Sequence, residues 1–146
     1  MRVSNAGLDI IKQFEGCSLK AYKCQAGVWT IGYGTTNADK SITGTEIREG
    51  LTINQQTADN WLEQTVNAKY APRVDKYNST YHFTQNQFDA LVSFCYNIGS
   101  IDQLVDRGKC TISEISANIL KYNKAGGKVS NGLVRRRNCE KQLFDR

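Results

Sequence analysis

The sequence predicts an α+β protein: a first helix, a small β-hairpin region, and a mostly helical remainder. Three observations carry this. Apolar residues recur at helical spacing over residues 5 to 15, with Leu8, Ile11 and Phe14 on one face. Short pieces rich in β-branched and aromatic residues follow, "LKAY" and "VWTIGYG", separated by "KCQAG". Beyond residue 51 the S/T-x-x-E/Q capping pattern occurs three times, at Thr52 with Gln55, Thr84 with Gln87 and Thr111 with Glu114.

Taken in order, the first helix starts from Ser4 or Asn5 as N-cap and stops at Gly16, which leaves Glu15 at its C-terminus. Gly27 permits the tight turn of the hairpin. Residues 35 to 51, rich in Thr, Gly, Asn and Asp, read as a loop with at most one short strand or helical turn. The Thr52 box opens a helix with Ala58, Trp61, Leu62 and Val66 inward, broken before Pro72. The Thr84 box opens a helix with Phe88, Leu91, Val92, Cys95 and Tyr96 inward and Gly99 as its stop. The Thr111 box opens one carrying Ile112, Ile115, Ile119 and Tyr122 to an "AGG" stop at 125 to 127, and a last helix covers about 132 to 144.

At 146 residues and 40% apolar content the chain supports one compact unit. Its apolar runs are far shorter than a membrane span, and the N-terminus lacks the apolar core of a signal peptide, so the expected location is the cytoplasm. Five cysteines with no CxxC pair, beside one histidine, speak against a zinc site; no metal or other cofactor is expected. The net charge of +5 is concentrated at the C-terminus, where Lys121 to Arg146 contains eight Lys/Arg against Glu140 and Asp145. Such a basic face suits an anionic polymer.

Glu15 is the first candidate for chemistry. A carboxyl at a helix end projects toward the neighbouring hairpin, and the negative end of the helix dipole disfavours a second negative charge, as a general acid requires. Cys24 in the turn and Thr30 on the second strand lie nine and fifteen residues further on. A thiolate serves as base or nucleophile, and a threonine hydroxyl orients water. Each taken singly is more often a surface Glu, a small apolar Cys and an ordinary strand Thr.

Glu15, Cys24 and Thr30 in the spacing E-x8-(D/C)-x5-T resemble the signature of the phage-type lysozymes, the T4 lysozyme-like endolysins of glycoside hydrolase family 24. The resemblance continues through "TIGYGTT", "TINQQTADNWL", "FTQNQFDALVSFCYNIGS" and "KAGGKVSNGLVRRRNCEKQLF", and so covers nearly the whole chain. It implies a lysozyme-like domain over residues 1–146, with a hairpin lobe at about 13–55, a helical lobe at about 56–146 joined by the N-terminal helix 1–12, and a cleft between them. The implied activity is hydrolysis of the β-1,4 bond between N-acetylmuramic acid and N-acetylglucosamine in peptidoglycan, for host lysis and phage release.

Residue by residue, the resemblance makes Glu15 the acid, Cys24 the counterpart of the usual Asp, and Thr30 the hydroxyl that positions water or supports residue 24. Gly34, Thr36 and Tyr33 fall on the hairpin side of the cleft, Tyr96 and Asn97 on the facing helix, and Arg136 or Arg137 reaches back to Glu15. Three consecutive helical residues point about 100° apart, so at least one of Arg135, Arg136 and Arg137 faces elsewhere. Of the aromatic candidates for sugar stacking, Trp29, Trp61, Tyr22 and Tyr33, only Tyr33 is expected to line the cleft.

Two departures stand out. Cys24 replaces a carboxylate and so removes the carboxylate separation from which retention or inversion is read; a lytic transglycosylase using Glu15 alone is then an alternative. Thr35 stands where many relatives carry a His, a change expected to bear on stability more than on chemistry. Cys17 is expected to pack under the hairpin; on the cleft side it would instead be placed for a redox switch with Cys24. The expected partners are peptidoglycan and, for access to the wall, a phage holin; the protein is expected to be a monomer. A non-catalytic wall-binding protein and a nucleic-acid module are the competing classes, and no nucleic-acid motif is present.

Overall fold

The computed structural model describes residues 1–146. The first helix, α1 (Asn5–Glu15), buries Leu8, Ile10 and Ile11 and ends where Gly16 takes φ +70°. Ser4 holds the N-cap position, but its side chain does not cap; its amide donates to Asp89 Oδ1 at 2.9 Å and its hydroxyl to Asp89 Oδ2. That contact fastens α1 to α6 (Gln85–Ile98). Gly7 is needed at the same crossing, since a Cβ there would lie 2.8 Å from Val3 Cγ2 and 3.0 Å from Asp89 Cβ.

Strands β1 (Ser18–Lys23) and β2 (Trp29–Gly32) form an antiparallel pair with Tyr22 opposite Thr30 and Lys23 opposite Trp29, and a register slip between Ser18 and Tyr22. The second strand is shorter than "VWTIGYG" predicts. Ile31 and Thr35 exchange both backbone hydrogen bonds, at 2.9 and 2.8 Å, so the chain folds back through Gly32 and Gly34 instead of running on. The expected loop 35–51 contains a 3-10 turn, Asn37–Asp39, running into α2 (Lys40–Thr43).

Two predicted boundaries need correction. Thr52 does not cap the next helix, because it is engaged in a β-bridge to Lys20; α3 (Gln55–Thr65) is capped by Asn54, whose Oδ1 accepts from the Thr57 amide at 2.8 Å. Nor does the rod break before Pro72. A π turn, Val66–Tyr70, widens it and leads into α4 (Ala71–Asp75), with Pro72 in the first turn, where its missing N–H costs little. A short α5 (Asn78–Tyr81) follows, which the periodicity does not reveal.

The boxes at Thr84 and Thr111 form as expected, opening α6 and α7 (Ile112–Ile119). The latter ends earlier than its apolar pattern suggests. "AGG" is the turn of a second hairpin, β3 (Lys124–Ala125) with β4 (Lys128–Val129), and not a helix stop. Ser130 then caps α8 (Asn131–Asp145). No helix is long and apolar enough to cross a membrane.

Two cores result. The larger surrounds α6, whose Phe88, Ala90, Leu91, Val92, Phe94 and Cys95 are wholly buried against α1, α4 and α8. The smaller joins Ala21, Ile31, Ile47 and Trp61, so α3 contributes to both and connects them. Trp61 is therefore core. Replacing Asn54 by Ala should lower stability by about 1 kcal/mol in denaturant unfolding, whereas Thr52→Ala should cost less than about 0.5 kcal/mol.

Candidate active site

Glu15 projects from the last position of α1 with 28% of its side chain exposed. Arg136 Nη1 donates to Glu15 Oε1 at 2.6 Å, while Oε2 has no protein partner. Arg136 is itself 3% exposed, and its direction is set from behind: Nη2 donates to the Ser93 carbonyl at 3.1 Å and Nε to Glu140 Oε2 at 3.3 Å. Phe14 lies against the guanidinium, 5.9 Å from ring centroid to Cζ. One carboxylate oxygen is thus clamped and the other is free for a ligand.

Of the three consecutive arginines, Arg135 is exposed and Arg136 reaches Glu15. Arg137 does not touch Glu15. It is fully buried, with Nε 2.7 Å from Glu140 Oε1, Nη2 donating to Asn97 Oδ1 at 2.9 Å, and the guanidinium 4.8 Å from the Phe94 ring centroid. Glu140, absent from the sequence-derived site, is the residue on which both arginines converge; it also accepts from Ser93 Oγ at 2.7 Å. Burial pushes the Glu140 carboxyl up and the Arg137 guanidinium down, so desolvation works against the charge on each, and their mutual attraction opposes it. The signal available in sequence was Glu140 at i+4 from Arg136 and i+3 from Arg137 on one helix.

Glu15 separates two depressions. One, of about 290 Å³, is lined on the hairpin side by Cys17, Tyr22, Tyr33 and Gly34. The other, of about 380 Å³, is lined by Phe14, Asn97, Leu133, Arg135 and Arg136. Tyr96 links hairpin lobe to helix, its hydroxyl donating to the Tyr33 carbonyl at 2.7 Å, and burial pushes its phenol up. Thr36 caps the 3-10 turn, accepting from the Ala38 amide at 3.2 Å, and lines a separate cavity beyond Gly34.

The aromatic lining differs from expectation. Tyr33 does line the depression, but its side chain is largely buried, and its hydroxyl is held by Gln55 Nε2 at 3.0 Å and Asp59 Oδ1 at 3.2 Å. Tyr22, which was not expected to line the cleft, is 45% exposed there and is the freer stacking surface.

Cys24 lies one residue past β1, in the hairpin turn, its amide donating to the Val28 carbonyl at 3.0 Å and its carbonyl accepting from the Gly27 amide at 2.8 Å. Nearby backbone donors, Val28 first and then Ala26, with a smaller contribution from the Thr30 hydroxyl, hold the thiol below its usual range. Thr30 is buried, donates to the Val28 carbonyl at 3.0 Å and stands opposite Tyr22, which connects this turn to the Glu15 depression. Cys17 is not packed under the hairpin; it is exposed beside Glu15. Nor is it bonded to Cys24: both thiols are free, and the two residues flank the ends of β1.

Two outcomes are expected. Alkylation of Cys24, followed by peptide mass against pH, should reach half its maximal rate below about pH 8.5, the ordinary thiol value, and Thr30→Val should move that midpoint upward. Glu140→Ala, which leaves buried Arg137 without a counter-charge and Arg136 with Glu15 alone, should cost about 3 to 5 kcal/mol of unfolding free energy.

The family profile described as Phage lysozyme matches residues 12–140. The endolysin of Lactococcus phage c2 is 41% identical over 148 residues, covering 100% of this chain, and this chain spans only 61% of that relative's length. The endolysin of Acyrthosiphon pisum secondary endosymbiont phage 1 is 35% identical, with 99% of each chain covered. Among solved structures, the muramidase domain of SpmX from Asticaccaulis excentricus superposes with a TM-score of 0.76 at 34% identity, covering 98% of this chain and 97% of that one. A variant of P22 lysozyme gives 0.76 at 28% identity over 100% and 99% of the two chains. A lysozyme-like α+β fold, the matched profile and full-length relatives agree: the chain belongs to the phage lysozyme family.

Proposed function

We propose that this protein is an endolysin that hydrolyses the β-1,4 bond between N-acetylmuramic acid and N-acetylglucosamine in peptidoglycan. The observation that carries the reading is Glu15, one oxygen fixed by Arg136 and the other unpartnered, lining both depressions. Arg136 acts as the positioning residue. With Oε1 held, protonated Oε2 donates to the glycosidic oxygen as the bond to the anomeric carbon breaks. A water adds to that carbon and gives its proton to the Cys24 thiolate, with Thr30 orienting the water. The hydrogen-bond donors around the sulfur favour the thiolate this role requires.

Glycan strands lie along the depressions, with Tyr22, Tyr33 and Gly34 on the hairpin side and Asn97 on the helical side, and extend past Gly34 toward the cavity that Thr36 and Tyr96 line. In this reading the enzyme is made in the host cytoplasm, reaches the wall after a phage holin opens the membrane, and works as a monomer.

The test is digestion of purified peptidoglycan with mass analysis of the fragments. Reducing muramic ends are expected. Fragments ending in 1,6-anhydro sugars would mean transglycosylation by Glu15 alone, and no fragments at all would remove the enzyme reading. Glu15→Gln should abolish cleavage by at least about a hundredfold, in keeping with loss of a general acid. Cys24→Asp should retain activity and Cys24→Ser should lose most of it; equal rates for Ser and wild type would dismiss the thiol from the mechanism.

A further inference from the structure

Glu15 is held by a group that works against its role as an acid. Arg136 Nη1 lies 2.6 Å from Glu15 Oε1, and an opposite charge so close favours the ionised carboxyl, by about 1 to 3 pH units where nothing offsets it. A general acid has to keep its proton until the glycosidic oxygen takes it. The walls of the two depressions offer no offset, since Glu15 is their only carboxyl. Toward it face Arg135 and Arg136 from α8, Tyr96 from α6, Cys17 and Tyr22 from the hairpin and Tyr33 from the loop after β2. Lys12, three residues earlier on α1, is turned to Asp59 at 3.5 Å.

The offset lies behind the arginine. Arg136 places Nη1 on Glu15 and Nε on Glu140 Oε2 at 3.3 Å, so one cation is shared by two carboxyl groups. Glu140 also faces Ser93 from α6 and Arg137 from its own helix; α1 and α7, which pack on α8 as well, make no polar contact with it. Burial disfavours a charge on Glu140. Its neighbours nonetheless require one. A guanidinium has no acceptor, and Ser93 Oγ, which accepts from Arg136 Nη2 at 3.4 Å, donates its own proton to Glu140 Oε2 at 2.7 Å. Arg137 Nη2 donates to Oε2 at 3.3 Å and its Nε stands 2.7 Å from Oε1, so a proton on either oxygen of Glu140 would be set against donors.

We infer that Glu140 is a second positioning residue of the proposed reaction: its buried carboxylate cancels much of the Arg136 field, so that Arg136 orients Glu15 without stripping it of its proton. The inference rests on the reading of Glu15 as the general acid. Arg137 limits the effect, because it draws on the same carboxylate from the far side. Removing the Glu140 charge therefore lets Glu15 ionise at lower pH, and cleavage, which needs the protonated form, is lost at lower pH as well. Removing the Arg137 charge does the opposite.

The experiment titrates Glu15 directly. Protein labelled with carbon-13 at the glutamate carboxyls is followed by NMR against pH in wild type, Glu140→Gln, Arg137→Gln and the double variant, with signals assigned through the backbone and folding checked first by near-ultraviolet circular dichroism. Glu140→Gln should lower the Glu15 midpoint by at least about one pH unit, a tenfold change in proton affinity. Arg137→Gln should raise it, and a fall there overturns the inference. The double variant removes both charges together, leaves neither residue as an unpaired buried ion, and carries the test if Glu140→Gln does not fold; its midpoint should fall by less. An unmoved midpoint in a folded variant lacking Glu140 overturns the inference and leaves Glu140 a structural partner only. So does a protonated Glu140 signal at neutral pH in wild type, which needs no variant. The alkaline limb of peptidoglycan cleavage is measured in parallel and should move with the midpoint. Wild type that cleaves nothing refutes the proposed reaction while the titration still decides the part of Glu140, whereas cleavage with unmoved midpoints refutes the inference alone.

Discussion

The organisation of the site depends on one carboxylate that never meets solvent. Glu140 receives Arg136, Arg137 and Ser93, and through Arg136 its charge decides where Glu15 points. The order along this row is alternating, Glu15, Arg136, Glu140, Arg137, so each arginine lies beside a carboxyl group and Glu140 lies between the two arginines. Ions without water need such alternation, because a single unpaired charge there costs several kcal/mol. The row also joins three helices: Glu15 ends α1, Ser93 lies within α6, and the other three belong to α8. A side chain at the last position of a helix acquires a fixed position because its partner is anchored in the core.

The hairpin is held to this core differently. It carries its own small apolar cluster, and it is joined to the larger lobe by Tyr33, a member of the larger core, and by polar contacts: Tyr96 to the Tyr33 carbonyl, Lys69 to Asp39, and the Gln55–Tyr33–Asp59 set. The α3 rod enters both clusters, Trp61 in the smaller and Ala58 and Leu62 in the larger, and the π turn continues it along the larger core with Val66 buried. A cavity lined by Leu62, Thr65 and Tyr70 lies between this segment and the loop after β2.

What the sequence made legible follows from how local each signal is. The helices with complete capping boxes at Thr84 and Thr111 and the hairpin around Gly27 were readable because their determinants lie within a few residues. Thr52 failed as a cap because a tertiary bridge to Lys20 claimed it, and Tyr122 lies beyond α7 because the second hairpin redirects the chain. The candidates Glu15, Cys24 and Thr30 came from their spacing through the family resemblance, and of the three only Glu15 lines the depressions. Glu140 was not, since its importance comes from burial among partners distant in sequence, and the exposure of Tyr22 and Cys17 is likewise a matter of which face of β1 the fold covers.

The same row of ions alters what the basic C-terminal region presents to its surroundings. Eight Lys/Arg lie between Lys121 and Arg146, yet Arg136 and Arg137 are enclosed and Lys141 is tied to Asp145. The field felt outside the protein comes instead from Lys121, Arg135, Arg146 and the two lysines of the second hairpin, Lys124 and Lys128. Attraction to a polyanion is therefore weaker than the formal count implies and is displaced toward the tip of that hairpin, where dissolved salt screens it over about 8 Å at physiological ionic strength.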